Sequence, residues 1–296
     1  NWMKITFESQ AQKRISFILP VKDRKEALAN ALEACRALKG PEDEFIVVDG
    51  GSRDGTQQAA SKYGDFIDIF ISEPDLNCTH AVNKALLLAR GKYIKTLSDD
   101  DVFYPKELEK AVRMMEEHPE IDLLACGGTK EKGGRVSYVY IPPGADYGKR
   151  PEDVFRYPRS GVGHIYRRSA MSRVGLFPPM LIRRDGRVMI HADAEYLLRF
   201  IAGGAVVRFC RINLFRHPYS HYGELQTTDQ YWLDAARQYC PSSFYWKFWM
   251  RIKSKPLRRR IRAFRKMLRR RIPQSKLLLD RPAPKFMEPV WDGGFS

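Results

Sequence analysis

The sequence predicts an α/β protein: a mostly parallel sheet with helices on both faces, extended at its C-terminal end by a helical, basic segment. Three observations carry this. Four short apolar runs, at residues 14–21, 44–49, 66–71 and 93–97, alternate with segments whose apolar residues recur at helical spacing. Strands alternating with helices over about ninety residues make a parallel sheet covered on both sides. Each run is followed by a polar loop, which places all four loops on one edge of that sheet.

The first run, RISFILPV, stops at Pro20, and Leu28, Ala31, Leu32, Cys35 and Leu38 then mark a helix that Gly40 and Pro41 end. The second run, EFIVVD, leads into the loop GGSRDGT, where Asp54 or Thr56 can cap the next helix. After the third run, Ala81, Val82, Ala85, Leu86 and Ala89 share one face of a helix over 80–89. The fourth run ends abruptly in Asp99, Asp100 and Asp101, and Pro105 opens a further helix, KELEKAVRMMEE.

Three carboxylates at a strand's carboxyl end lie where open α/β sheets bind ligands. Adjacent carboxylates raise one another's pKa unless a cation neutralises them, and hard ions such as Mg²⁺ or Mn²⁺ suit oxygen ligands. Taken alone, the triplet could equally be an acidic turn capping the helix. The polar loops 22–24, 49–56, 73–79 and 99–101 together outline a nucleotide-sized crevice. The first loop reads PVKDRKE and not GxGxxG, which argues against a dinucleotide cofactor.

A chain of 296 residues with 44% hydrophobic content is globular and has a sizeable core. Its net charge of +16 is local. Residues 241–276 hold fourteen Lys and Arg and no Asp or Glu; without them 37 basic face 35 acidic residues. The five cysteines show no CxxC spacing, so they read as buried thiols of a reducing compartment. The start NWMKITFESQ has no signal-peptide core, and no apolar run approaches the roughly 18–20 residues that span a bilayer. The expectation is a cytoplasmic protein, peripheral on the inner face of the cell membrane.

Five motifs in order carry a resemblance: ISFILPVKDR, IVVDGGSRDGT, SEPDLNCTHAVNKALLLARGKYIKTLSDDDVFYP, GHIYRRSAMSRVGLF and ADAEYLLRFIAGG. Together they resemble the family-2 glycosyltransferases, whose catalytic domain has the GT-A (Rossmann-like) fold. The resemblance covers roughly residues 13 to 215 and implies metal-dependent, inverting transfer of a sugar from a nucleotide-diphospho-sugar, UDP-linked by preference, to a hydroxyl. It implies that Pro20, Val21 and Asp23 line the base pocket and that Asp49 accepts from the uracil ring, although Asp49 could instead cap the GGS turn. Asp101 becomes the direct ligand of Mn²⁺ or Mg²⁺ and Asp99 is expected with it in the metal group, while Asp99 or Asp100 faces the ribose or the metal's waters. This chain has Ser98-Asp99 where many members carry Asn-Ser or Asp-Ala, so the division between Asp99 and Asp100 stays open. Asn83 and Lys84 match a position facing the sugar-phosphate.

Asp193, at a helical start, matches the family's general base, against the alternative of a routine helix cap. His164 would sit on the acceptor side or be a hydrogen-bonded core histidine, and His217 would be a further metal ligand. Arg167, Arg168, Arg183 and Arg184 could meet phosphates or simply be solvated.

The domain expectation is an N-terminal tail over 1–12, the catalytic domain over 13–215, a helical extension over 216–276 and an extended tail over 277–296. Within the extension, Leu257, Ile261, Phe264 and Leu268 make one apolar stripe on an otherwise basic helix over 256–272. Such a helix lies on anionic lipid, so the partners expected are a nucleotide-sugar donor, a glycan or lipid-linked acceptor of cell-surface polysaccharide synthesis, and a membrane surface met by 241–276; no nucleic acid is expected. Two other functions compete. A nucleotidyltransferase would want a Gly-rich phosphate grip after the first strand. A non-catalytic nucleotide-sugar or lipid-binding protein would have no use for Asp101 and Asp193.

Overall fold

The computed structural model describes residues 12–132, 135–140, 149–155, 161–178, 192–218 and 229–254. The basic helix expected over 256–272, the tails over 1–11 and 277–296, and Arg183 and Arg184 lie outside the described residues.

The first half is β1 (Lys13–Val21), α1 (Lys25–Cys35), β2 (Glu44–Asp49), α2 (Thr56–Ser61), β3 (Ile69–Ser72), α3 (Cys78–Leu88) and β4 (Gly91–Thr96). Its four strands pair in parallel in the order β3-β2-β1-β4. The third strand begins later than its apolar run, because the amides of Phe66 and Ile67 turn back to the Tyr63 carbonyl. The second half is β5 (Val102–Phe103), α4 (Pro105–Glu117), β6 (Leu123–Lys132), β7 (Arg135–Tyr140), β8 (His164–Arg167), α5 (Arg168–Val174), α6 (Ala192–Ala202), β9 (Val207–Pro218), α7 (Asp229–Tyr239) and α8 (Ser242–Lys253). These strands continue the sheet as β4-β8-β6-β9-β5, with β7 also on β6, and the pairing here is mostly antiparallel.

Period-two alternation sorts the strands between two cores. Ile15, Phe17, Leu19 and Val21 of β1 face α1 and α4, where Leu28, Leu32, Leu108, Val112 and Met115 are buried. Ile18 of β1, with Ile46, Val48 and Ile94, faces the other side, against Val82 and Ala85 of α3, Met171 of α5, and Tyr196, Leu197 and Phe200 of α6. The last strand and α7 pack on this same sheet. β9 runs to Pro218, and Tyr231 and Ala235 of α7 are buried in the second core.

Two of the arginines considered for phosphates have structural work. The Arg167 guanidinium donates to the carbonyls of Ile121, Met115 and His118, closing the C-terminal end of α4, and Arg168 donates to the Gly91 carbonyl.

Lys95 is the charge that sequence patterning did not single out. It points into the sheet from β4, fully buried, and its ammonium donates to the carbonyls of Val162, Thr96 and, at 3.5 Å, His164. The same nitrogen sits 4.8 Å from the Phe103 ring centroid. Among the described residues no carboxylate pairs with it directly, and burial pushes its pKa from 10.5 down to about 8. Between those two values the unfolded chain holds a proton that the folded one has released, so folding stability rises with pH through that window. We predict that the wild type gains on Lys95→Met by about 3 kcal/mol from pH 8 to pH 10.5, read from denaturation midpoints across that range. A difference that does not change with pH would show that the amine titrates alike in both states.

Candidate active site

The chain passes from β3 back across β1 to β4, so the carboxyl ends of β1 and β4 flank the crevice where the strand order reverses. A cleft of about 380 Å³ opens there. It is lined by Pro20, Val21, Lys22 and Arg24 after β1, by Asp75 to Cys78 after β3, and by Ser98 to Asp100 after β4. Of the residues expected around a donor, Pro20, Val21, Asp99 and Asp100 meet in this one cleft.

The three adjacent carboxylates separate. Asp99 turns to Arg24, whose Nε lies 2.7 Å from its Oδ2. Burial raises the Asp99 pKa against the opposing pull of Arg24. Asp100 and Asp101 instead converge with His217, with one ligand atom from each inside a 4.8 Å span. The backbone explains the convergence. β5 pairs antiparallel with β9, Val102 opposite Arg216, so the residue before Val102 falls beside the residue after Arg216. His217 Nδ1 is 2.6 Å from Asp101 Oδ1. Burial raises the Asp101 pKa, and the hydrogen bond with Asp101 raises that of His217.

Asp101 Oδ2 is buried and has no hydrogen-bond partner among the described residues. A buried carboxylate oxygen without a partner is costly, and a cation bound by Asp100, Asp101 and His217 would satisfy it. Two carboxylates and one imidazole are also ligands that Mn²⁺ accepts. The residues present therefore fit a divalent ion, and the geometric set is Asp100, Asp101 and His217. Asp99, expected among the ligands, is outside it.

Asp23 and Asp49 shape the loops beside the cleft and do not line it. Asp23 is the only non-glycine with positive φ (50°) among the described residues. Its amide donates to Ser52 Oγ at 2.7 Å, and its Oδ1 accepts from the Arg53 amide at 2.9 Å. A left-handed aspartate is tolerated where its short side chain finds such local bonds. Asp49 is fully buried and accepts from the Ser52 amide and hydroxyl and from Ser72 Oγ at 2.6 Å. Its carboxylate thus caps the GGS turn. Asp54 accepts from Thr56 N and Lys25 N, both at 3.0 Å, tying the start of α2 to that of α1.

Asn83 and Lys84 are both committed to the protein. The Asn83 amide group exchanges two hydrogen bonds of 2.9 Å with the backbone of Phe177. Lys84 holds Glu73 at 2.9 Å and the Pro74 carbonyl at 3.0 Å, fixing the loop that forms one wall of the cleft.

Asp193 lies in the first turn of α6, where a carboxylate is favoured by the helix dipole. Its carboxylate rests on the α-carbon of Gly161, where an added Cβ would come within 2.4 Å of its Cγ. Only glycine leaves room for that contact. Its charge is felt at the exposed Cys78 of the cleft wall, whose thiol pKa is raised with Asp193, Asp75 and Asp99 among the causes. His164 is buried on β8, with its Nδ1 3.0 Å from the Tyr166 hydroxyl, and belongs to the core.

Four residues escaped the sequence reading. Arg24 and Asp75 lie in loops already marked as polar, but nothing in their spacing reveals their partners. Cys78 read only as one buried thiol among five. Lys95 left a signal: a lysine inside an apolar run bound for the interior.

Comparison with known proteins bears on the fold and the family. An uncharacterized glycosyltransferase of Rickettsia typhi is 29% identical over 145 residues, 49% of this chain and 45% of that protein. The putative glycosyltransferase EpsE of Bacillus subtilis is 28% identical over 118 residues, 38% of this chain and 42% of that protein. The chain thus spans less than half the length of these curated relatives. Among solved structures, S. aureus TarS 1–349 in complex with UDP-GlcNAc superposes with a TM-score of 0.60 at 18% identity, over 76% of this chain and 65% of that one. The mannosyltransferase PcManGT from Pyrobaculum calidifontis, in complex with GDP-Man and Mn²⁺, gives 0.54 at 16% identity, over 81% and 65%. At such identities the likeness establishes the fold, which is the GT-A fold. The family model described as "Glycosyl transferase family 2" matches residues 16–175, more than half of the sequence, and the chain belongs to that family.

Proposed function

We propose that the chain transfers a sugar from a nucleotide-diphospho-sugar, UDP-linked by preference, to a hydroxyl of a glycan or lipid-linked acceptor, with inversion at the anomeric carbon. The observation that carries the reading is the Asp100–Asp101–His217 group beside the cleft, with the buried, unpartnered Asp101 Oδ2. Support for the donor class comes from TarS in complex with UDP-GlcNAc and from PcManGT in complex with GDP-Man and Mn²⁺, two proteins of the same fold.

In this reading the cleft takes the nucleotide, with Pro20 and Val21 against the base and the Arg24–Asp99 pair toward the ribose and phosphates. Asp100, Asp101 and His217 would hold Mn²⁺ or Mg²⁺. When bound, that ion stabilises the negative charge that gathers on the departing diphosphate. Asp193 takes the proton from the acceptor hydroxyl, a poor nucleophile at neutral pH, and the oxygen displaces the diphosphate in line. The missing side chain at Gly161 leaves the Asp193 carboxylate the room it occupies there. The setting is the synthesis of a surface glycan at the cytoplasmic face of the membrane, with residues 241–276 on the anionic surface.

Asp101→Ala is expected to remove metal-dependent binding of UDP while leaving the fold intact. Calorimetric titration with UDP, with and without Mn²⁺, reads this directly. Unchanged metal-dependent affinity would mean that the acidic strand end is only a cap.

Asp193→Asn keeps the shape of the side chain but cannot accept a proton. Donor affinity should hold while transfer falls by about 10²–10⁴-fold. Transfer at close to the wild-type rate would assign the base elsewhere.

A further inference from the structure

We propose that α8 is an interfacial helix, lying against an anionic lipid surface through the side that carries Trp246, Met250 and Lys253. This deepens the peripheral placement proposed above and rests on it. Three observations on α8 itself lead there.

Among the described residues the helix is held from one side. Phe244 and Phe248 stack on each other at 5.7 Å and both meet the Phe155 ring, at 5.6 and 5.3 Å, while Ile252 is buried one turn further on. At about 3.6 residues per turn, a residue two positions on lies roughly 200° around the helix. Trp246 and Met250 therefore project directly away from the anchored side, and each is 58% exposed. Lys253 comes back to within about 20° of Trp246 after two turns, and it too is exposed.

The exposed side carries charge of one sign. Lys247 and Arg251 are exposed on its flank, and Lys253 lies 5.9 Å from the Trp249 ring centroid. No Asp or Glu occurs anywhere in 241–276. The helix thus offers a large ring and a thioether outward, with Lys247 and Lys253 exposed beside them and no acidic residue in the helix itself.

That combination fits one kind of partner. A tryptophan with an apolar body and a polar edge settles at the level of lipid headgroups, and lysine stems reach from there to anionic groups. A nucleic acid would be met by cations interleaved with rings stacking on bases, and Met250, at the centre of the exposed side, stacks on nothing. A protein partner would have to present an acidic apolar surface. An anionic membrane presents one everywhere. Because the phenylalanine anchor fixes α8 against the 151–155 turn, the lipid plane would also fix which way the catalytic domain faces.

The test uses the full chain and vesicles of phosphatidylcholine with about one-third phosphatidylserine. Co-sedimentation compares wild type with Trp246→Ser/Met250→Ser, and with Lys247→Glu/Arg251→Glu. Each protein is measured at low salt and at about 0.5 M sodium chloride, where screening shortens to roughly 4 Å. The Trp/Met variant should bind at least about tenfold more weakly and should lose the binding that survives high salt, because that part comes from buried apolar surface. The charge-reversed variant should be weakened chiefly at low salt. Thermal melting and calorimetry with UDP and Mn²⁺ confirm that each variant is folded; their failure in the wild type would count against the donor reading and leave the lipid result standing. The proposal is overturned if the Trp/Met variant sediments as the wild type does. Equal binding to vesicles of phosphatidylcholine alone, or tighter binding to a single-stranded RNA than to the anionic vesicles at equal salt, would also overturn it. So would a wild-type dimer in velocity sedimentation that the Trp/Met variant dissolves, since the exposed side would then be covered by a second copy of the chain.

Discussion

The pairing of a two-residue strand with the last long one is the constraint on which the site depends. β5 consists of Val102 and Phe103 alone, yet its register with Arg216 and Phe215 decides what stands opposite Asp101. Shifting that pairing by one residue would turn His217 to the other face of the sheet. The strand is too short to hold itself. Phe103 is buried in the first core, and the Tyr104 amide bonds to the Leu214 carbonyl, so both ends of the pairing are pinned by packing and by backbone. The 2.6 Å contact between His217 and Asp101 is thus a product of sheet geometry, made before any ligand arrives.

The wall of the cleft is built differently, by side chains that bond to the backbone of neighbouring loops. Asp23 and Ser52 join the loop after β1 to the loop after β2, and Asp54 joins the start of α2 to that of α1. Asp49 reaches from the end of β2 to Ser72 at the end of β3. Asn77 caps α3 by accepting from the His80 amide, and Lys84 of the same helix holds Glu73 and Pro74. Loops without regular structure would otherwise leave buried amides unpaired. Here short polar residues supply the partners, and the cleft is bounded by loops locked to one another. Close approach adds a further demand at Gly50, where a Cβ would come within 2.4 Å of Asp75 Oδ2.

The fold was legible because its physics is periodic. Alternation at two residues in β1, and spacing of three and four in α1 and α3, survive as the two buried faces of the sheet. The polar loops at one edge followed from parallel pairing alone. The site was legible only where a single stretch contains it. The acidic triplet was visible, but the division of labour within it depends on Arg24, 75 residues away, and on His217, 116 residues from Asp101. No local pattern encodes such distances. Asp49, Asn83 and Lys84 show the opposite case. Their residue types suit ligand binding, and the same polar groups also close turns and cap loops, as their hydrogen bonds to the protein show, so residue type alone does not separate the two roles.

Lys95 ties the two halves of the proposed chemistry together. It stands on the strand that ends in the acidic group, under the Phe103 ring of β5, and its ammonium draws in the carbonyls of Val162 and His164. That turn carries Gly161, on which the Asp193 carboxylate rests. One buried cation therefore reaches the strand that ends in the proposed metal ligands, the short strand that registers His217, and the turn beside the proposed base. Burying an ammonium on carbonyls alone is unfavourable enough to lower its pKa to about 8, and a methionine of similar length would fill the space without that cost. An apolar side chain, however, has no directional hold on the 161–164 turn. The distance from Asp193 to the Asp100–Asp101–His217 group would then be left to van der Waals packing. Precise spacing between a base and an electrophile's leaving group is what in-line displacement needs most, and in the proposed reaction a directional hold on this turn would serve that spacing at the expense of stability.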